Sequence, residues 1–186
     1  MEEKADVLVA MRVAAILGGG GEGRYSLVLQ EIVGQRRIVM TIGQAEAQAI
    51  AVFMEGVTMP RPLTHELMVR LVEGLGGKVS RVIIEGLDGG RFLTQIVCER
   101  LEGDVPLVVD ARTSDAVALA IRSGAPIFAR ESLLEMLAGK AAEHKERSVR
   151  EMGDEELKAL RKKAVEAEEY ERAQEIQDEL KRRGEA

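Results

Sequence analysis

Charge is spread so unevenly along this chain that it fixes where a core can form. Residues 140–186 carry 12 Lys or Arg and 14 Asp or Glu, so 26 of 47 positions are charged, against 32 of 139 in residues 1–139. A segment more than half charged buries too little apolar surface to pay for ordering a globule, and exists as solvated helix or as open chain. The chain therefore reads as a globular body over residues 1–138, a polar linker over 139–153 and a helical hairpin over 154–183.

Within the body, short apolar runs alternate with turn signals. Residues 5–17 read as a strand with a bulge allowed, and 25–32 and 36–43 as two more, with Gly18–Gly21 in a mobile hairpin tip. The Ala-rich run 44–56 reads as a helix ending at a glycine. A second helix spans 64–77, with apolar residues at 67, 68, 71, 72 and 75 and Thr64 as its N-cap. Residues 78–87 and 91–100 flank Asp88-Gly89-Gly90, a tight hairpin signal. A strand over 104–111, a capped helix over 113–124, a short edge strand over 126–129 behind Pro126 and a helix over 132–137 complete the body. Tight turns between successive strands favour antiparallel pairing, and the helices come in groups. The expected fold is α+β, a mixed and mainly antiparallel sheet with packed helices. A shift of 69 residues lays Glu46-Ala47-Gln48-Ala49-Ile50-Ala51 on Asp115-Ala116-Val117-Ala118-Leu119-Ala120. The body thus reads as two hairpin, strand and helix repeats, with Glu46 and Asp115 at equivalent first-turn positions.

Composition excludes several classes of chain. The single cysteine, Cys98, rules out an intrachain disulfide and a Cys-rich zinc site, and its strand pattern makes it a buried structural residue. Arg and Glu interrupt every apolar stretch before the ~18 residues of a membrane span, so no membrane contact is expected. The acidic start MEEKADVLVAM lacks the basic flank of a signal peptide, which makes the cytoplasm the expected compartment. Aromatic residues are 3% of the chain, too few for base-stacking platforms, and a net charge of −6 argues against non-specific nucleic-acid binding.

Two polar clusters can carry chemistry. Asp110-Ala111-Arg112-Thr113-Ser114-Asp115 joins a strand end to a helix start. Two carboxylates there could share a divalent cation, and Arg112 could grip a phosphate. The purely structural alternative has Thr113 or Ser114 capping the helix and Arg112 pairing with Asp110. Pro60-Arg61-Pro62-Leu63-Thr64-His65-Glu66 places one of only two histidines at a helix start. His65 there is either a general acid–base or an exposed capping-turn residue. The glycine run Gly18–Gly21 lacks the Lys-Ser/Thr ending and the following helix of a phosphate loop.

Three segments carry a family resemblance: IGQAEAQAIA (42–51), PRPLTHELM (60–68) and DARTSDAVALAIRSGAPIF (110–128). In order and spacing the body resembles the bifunctional nuclease family, with Thr113 standing where that family usually has proline. The resemblance implies DNase and RNase activity. The motif positions Glu46, Arg61, His65, Asp110, Arg112, Ser114 and Asp115 are the candidates it offers; their chemistry suggests Glu46, His65, Asp110 and Asp115 as catalytic, Arg61, Arg112 and Ser114 as substrate contacts, and Asp110 with Asp115 as ligands for Mg or Mn. Residues 154–183 resemble the UVR motif, a helical hairpin that binds proteins, through Leu160, Ala164, Glu168, Tyr170, Glu171, Ala173, Ile176, Asp178 and Glu179. Gln177 departs from the motif's usual arginine. Leu160, Ala164, Tyr170, Ala173, Ile176 and Leu180 are the expected partner-binding stripe. Helices this short and this charged are marginal alone, so a homo-oligomer or a protein complex is expected. The functional expectation is a divalent-metal-assisted nuclease. The alternative is a non-catalytic ligand-binding or adaptor module that oligomerises or recruits a partner through the hairpin.

Overall fold

The computed structural model describes residues 7–18, 23–100, 105–140, 152–166 and 170–184. The chain divides into two compact units, Met1–Leu137 and Ala138–Ala186. The first unit contains β1 (Leu8–Gly18), β2 (Arg24–Glu31), β3 (Arg37–Gly43), α1 (Gln44–Met54), α2 (Thr64–Gly74), β4 (Gly77–Asp88), β5 (Arg91–Arg100), β6 (Leu107–Ala111), α3 (Thr113–Ser123) and β7 (Ile127–Arg130). A further helix, α4, covers residues 131–140. The second unit holds α5 (Asp154–Glu166) and α6 (Tyr170–Arg182).

All seven strands form one mixed sheet in the order β3-β2-β1-β7-β4-β5-β6. Every pairing is antiparallel except that of β4 with β7. The α+β class and mainly antiparallel sheet expected from the sequence are what the structure has. Alternation sets the faces: in β3, Ile38, Met40 and Ile42 point into the core while Val39 and Thr41 point out. Interior β4 instead buries Val82, Ile83 and Ile84 in succession. The bulge allowed in β1 falls between Val13 and Ala15. The β4–β5 hairpin turns through Gly89 and Gly90, both in the left-handed region at φ 53° and 79°, where a side chain would be strained. Cys98 is buried, and burial pushes its thiol pKa up.

The duplicated pattern is present in the fold. α1 and α3 both begin and end 69 residues apart (Gln44 and Thr113, Met54 and Ser123), as do the starts of β1 and β4, Leu8 and Gly77. The two halves meet at β7, which corrects the sequence reading of residues 126–129 as an edge strand. Here β7 is the central strand, paired with β1 on one side and β4 on the other. Pro126 is compatible with that position because it precedes the strand. It has no N–H to lose there, and its carbonyl accepts from the Val82 N–H at 3.0 Å.

One side of the core wraps around α3, whose residues Ala116–Ala120 are all buried. Leu27, Leu29, Ile38, Ile50, Val82, Ile84, Leu133 and Leu134 belong to the same core. In α5 and α6, Leu157, Ile176 and Leu180 form a separate buried cluster, with Met152 and Leu160 against it. Arg183 bonds Asp154 and the Met152 carbonyl, and Arg161 reaches Gln177, which makes the pair an antiparallel hairpin. Ala164, Ala173, Ile176 and Leu180 are buried, so these residues of the expected partner stripe are turned in rather than displayed. Residues 167–169, the Tyr170 side chain, residues 19–22 of the expected hairpin tip and residues 141–151 of the expected linker lie outside the described residues. No helix among the described residues is long and apolar enough to cross a membrane.

A buried carboxylate ties the β2–β3 turn to α4. Glu31 accepts from the Arg36 backbone N–H at 3.0 Å and from its guanidinium at 2.9 and 2.6 Å. The same guanidinium bonds Glu131 at 2.6 and 2.9 Å. Gly34 sits at φ 133°, and a Cβ there would stand 2.2 Å from the Glu31 carboxylate. The Arg36 hydrogen bonds hold the Glu31 carboxyl below its ordinary pKa, so Glu31 contributes stability above its unfolded-state value. That contribution is lost as pH falls through the depressed native value. Glu31→Gln should lower the melting temperature near neutral pH, and the gap to the wild type should narrow as melts are taken from about pH 7 to about pH 3.

Candidate functional site

α1 and α3 each follow an edge strand, β3 and β6, at the two ends of the sheet. Both helices begin behind an extended residue, Gly43 at ψ 167° and Arg112 at ψ 139°, with no side-chain cap. This corrects the expectation that Thr113 or Ser114 caps α3. Those residues lie inside the first turn, where a hydroxyl cannot reach forward to the orphan N–H groups. Thr64 is likewise inside α2, whose N-cap is Leu63. The Thr113 hydroxyl instead meets that of Thr94 on β5 at 2.7 Å, both residues buried. That bond fixes the start of α3 to the sheet.

Arg122 ties α3 to α1. Its guanidinium donates to the Ala118 carbonyl at 3.1 Å and, across to α1, to the Ala49 carbonyl at 2.5 Å. It also lies 5.7 Å over the Phe53 ring. Burial lowers its pKa from the ordinary arginine value. With the two helices joined, their first-turn acids meet at one guanidinium. Arg112 Nη2 lies 2.9 Å from Glu46 Oε1, and Arg112 Nε donates to Asp115 Oδ2 at 2.8 Å. The Asp115 hydrogen bond, with Coulomb attraction to Asp115 and Glu46, raises the Arg112 pKa. Arg112 thus pairs with these two acids and not with Asp110, as the structural alternative had it.

Asp115 Oδ1 lies 3.2 Å from His65 Nε2. His65 is not the exposed helix-start residue of the alternative reading: its residue exposure is 8%. A carboxylate only accepts, so an ionised Asp115 places the imidazole proton on Nε2 and leaves Nδ1 as the basic nitrogen. Nδ1 makes no hydrogen bond among the described residues. No buried side-chain polar atom there lacks a partner, so Nδ1 keeps some access to solvent, and His65 lines a cavity.

Two cavities flank this group. One, of about 500 Å³, is lined by Thr64, His65, Met68, Glu46, Arg112 and Asp115. The other, of about 700 Å³, lies between β3 and the β5–β6 side and takes in Arg91, Phe92, Asp110, Ser114, Glu46 and Arg112. Glu46, His65, Arg112 and Asp115 therefore converge. Asp110 and Ser114 line the neighbouring cavity, and exposed Arg61 lines neither.

The Asp110 and Asp115 carboxylates expected to share a divalent cation line different cavities. Both Asp115 oxygens are engaged, by His65 and by Arg112, and Asp110 belongs to the other cavity. Among the described residues no group of three or more His, Cys, Asp or Glu side chains is arranged to hold a metal ion.

Residues 27–141 match the family model of the bifunctional nuclease domain. The chain belongs to that family. The bifunctional nuclease domain spans β2 through α4 and contains every member of the Glu46, His65, Arg112 and Asp115 group. The chain is also similar to two proteins of Mycobacterium tuberculosis, the uncharacterized proteins MT1877 of strain CDC 1551 / Oshkosh and Rv1829 of strain ATCC 25618 / H37Rv. Each is 39% identical over 124 residues, covering 67% of this chain and 73% of the relative.

Sequence reasoning missed Thr94, Arg122 and Gly43. Thr94 is one of several polar residues on an alternating strand, and Arg122 looks like an ordinary cation near a helix end. The position of Gly43, 69 residues before Arg112, was the available signal for the third. Thr94→Val should strand the Thr113 hydroxyl in the core and cost about 1–3 kcal/mol in urea denaturation. Thr94→Val combined with Thr113→Val should recover part of that loss.

Proposed function

We propose that the bifunctional nuclease domain hydrolyses phosphodiester bonds in DNA or RNA at the His65 cleft. The observation that carries this reading is the joining of His65, Asp115 and Arg112 in one bonded chain, within a domain whose family is named for nuclease activity. His65 Nδ1 accepts a proton from the attacking water as that oxygen bonds to phosphorus; the phosphorus bond to the departing sugar oxygen breaks, and that oxygen takes a proton from the imidazolium or from solvent. Asp115 holds the imidazole in the required tautomer and stabilises the imidazolium that forms. Arg112, with 71% of its side chain exposed, meets the phosphate oxygens. The start of α3, uncapped by any side chain and lining the second cavity through Thr113 and Ser114, favours the same anion.

Highly purified protein should cut labelled single-stranded DNA or RNA. His65→Ala and Arg112→Ala should each reduce the rate by about a hundredfold or more. An unchanged rate in His65→Ala would assign the cutting to a contaminant. Binding without turnover in the wild type would favour the second reading, a phosphate-ligand module. Rates in Mg2+, in Mn2+ and in excess chelator decide whether a divalent cation takes part.

The α5–α6 hairpin, similar to the UVR motif, is proposed as the protein-contact element, for self-association or for another protein. Its apolar residues close on each other and leave charged side chains such as Glu155, Lys158 and Arg161 outward, which supports a polar contact. A variant ending at Lys140 should keep the nuclease rate and melting temperature of the body. It should also sediment as a monomer where the full chain self-associates.

A further inference from the structure

We propose that Glu46 is a resident competitor for Arg112, an internal carboxylate that a substrate phosphate must displace, and so a determinant of what the cleft admits. The inference rests on the nucleic-acid reading of the site and assigns Glu46 a role other than proton transfer.

Arg112 is held by two acids that are held differently. Asp115 has a second partner in His65, whereas the Glu46 carboxylate has Arg112 as its only partner among the described residues. Of the two, Glu46 is the one whose release leaves the His65 pair intact. Its position makes that release consequential. Glu46 and Arg112 are the residues shared by the linings of both cavities, so their ion pair stands as a bar between them. Exchange of the Glu46 carboxylate for a phosphate oxygen opens one cavity toward the other. The resulting track passes from Arg91 and Phe92 on one side to His65 on the other, a path for a chain with nucleotides on both sides of the reacting phosphate.

The repeat shows how the bar is accommodated. The position equivalent to Arg112 in the first half is Gly43, and a Cβ there would come within 2.5 Å of Glu46 Oε2. The missing side chain is what lets the Glu46 carboxylate lie across its own helix start toward Arg112. Gly43 has φ −76°, which any residue adopts, so this glycine serves close approach and not backbone freedom.

The test uses the full chain and a fluorescein-labelled single-stranded dodecanucleotide with a hydrolysis-resistant phosphorothioate backbone, read by anisotropy at low salt. Arg112 is largely exposed and its ion pairs are screened, so Glu46→Gln should bind only about two- to fivefold more tightly than wild type. Gly43→Ala keeps every charge but pushes the carboxylate aside, and should shift affinity in the same direction. Adding Arg112→Gln to Glu46→Gln should abolish the gain. Binding by Glu46→Gln that is no tighter than wild type would overturn the competitor role and leave the nuclease reading standing. A gain that persists without Arg112, with Gly43→Ala unchanged, would also overturn it by revealing a general field effect. No binding by any of these proteins would remove both the nucleic-acid reading and the inference built on it.

Discussion

Two three-stranded halves become one sheet only because Ile127–Arg130 enters between them. β7 pairs antiparallel with β1 and parallel with β4, so neither half has its inner edge exposed. Ile127 and Ala129 are buried, and the small Ala129 side chain lets the helix layer pack closely over the junction. The connection is non-local: β7 follows α3, at the end of the second half, and reaches β1 at the start of the first. With the halves joined in this way, α1 and α3 are neighbours and Arg122 can bond across them.

The candidate site is a product of that symmetry and of its imperfections. Equivalent first-turn acids, Glu46 and Asp115, converge because their helices are equivalent. A perfect repeat would leave two carboxylates in repulsion. The second half has arginine where the first has glycine, and that one guanidinium serves both acids while the glycine makes room for it. His65 breaks the symmetry again, since the position 69 residues later is Leu134, a core residue. Duplication supplied the framework, and departures from it supplied the chemistry.

Electrostatics sets the limits of the arrangement. One arginine stands between two carboxylates, in a chain that is acidic as a whole. Non-specific affinity for a polyanion comes from many exposed cations, which this surface does not supply in excess. On the proposed reading, recognition is local, through Arg112, the uncapped start of α3 and the walls of the two cavities.

Local chemistry written into the sequence settled most elements. Alternating apolar residues, Asp88-Gly89-Gly90 and the Ala-rich helices depend on neighbours a few positions apart, and the strands and helices lie close to where those patterns put them. The repeat, and with it the equivalence of Glu46 and Asp115, was legible as well. The depth of His65, the arrival of Glu46 at Arg112, the buried Thr94–Thr113 bond and the central place of β7 were not. Each depends on which distant segment arrives beside it. Pro126 marks an edge strand by local rules, yet becomes the lead-in to the central strand once Val82 presents an N–H to its carbonyl. The sequence by itself determined the elements, the duplication and the charge boundary near residue 140, because these follow from short-range periodicity and composition. Only the tertiary structure decided that Glu46 and His65 join the local Arg112–Asp115 pair, because that is a matter of distance between segments about 50 to 70 residues apart, and no local pattern encodes it.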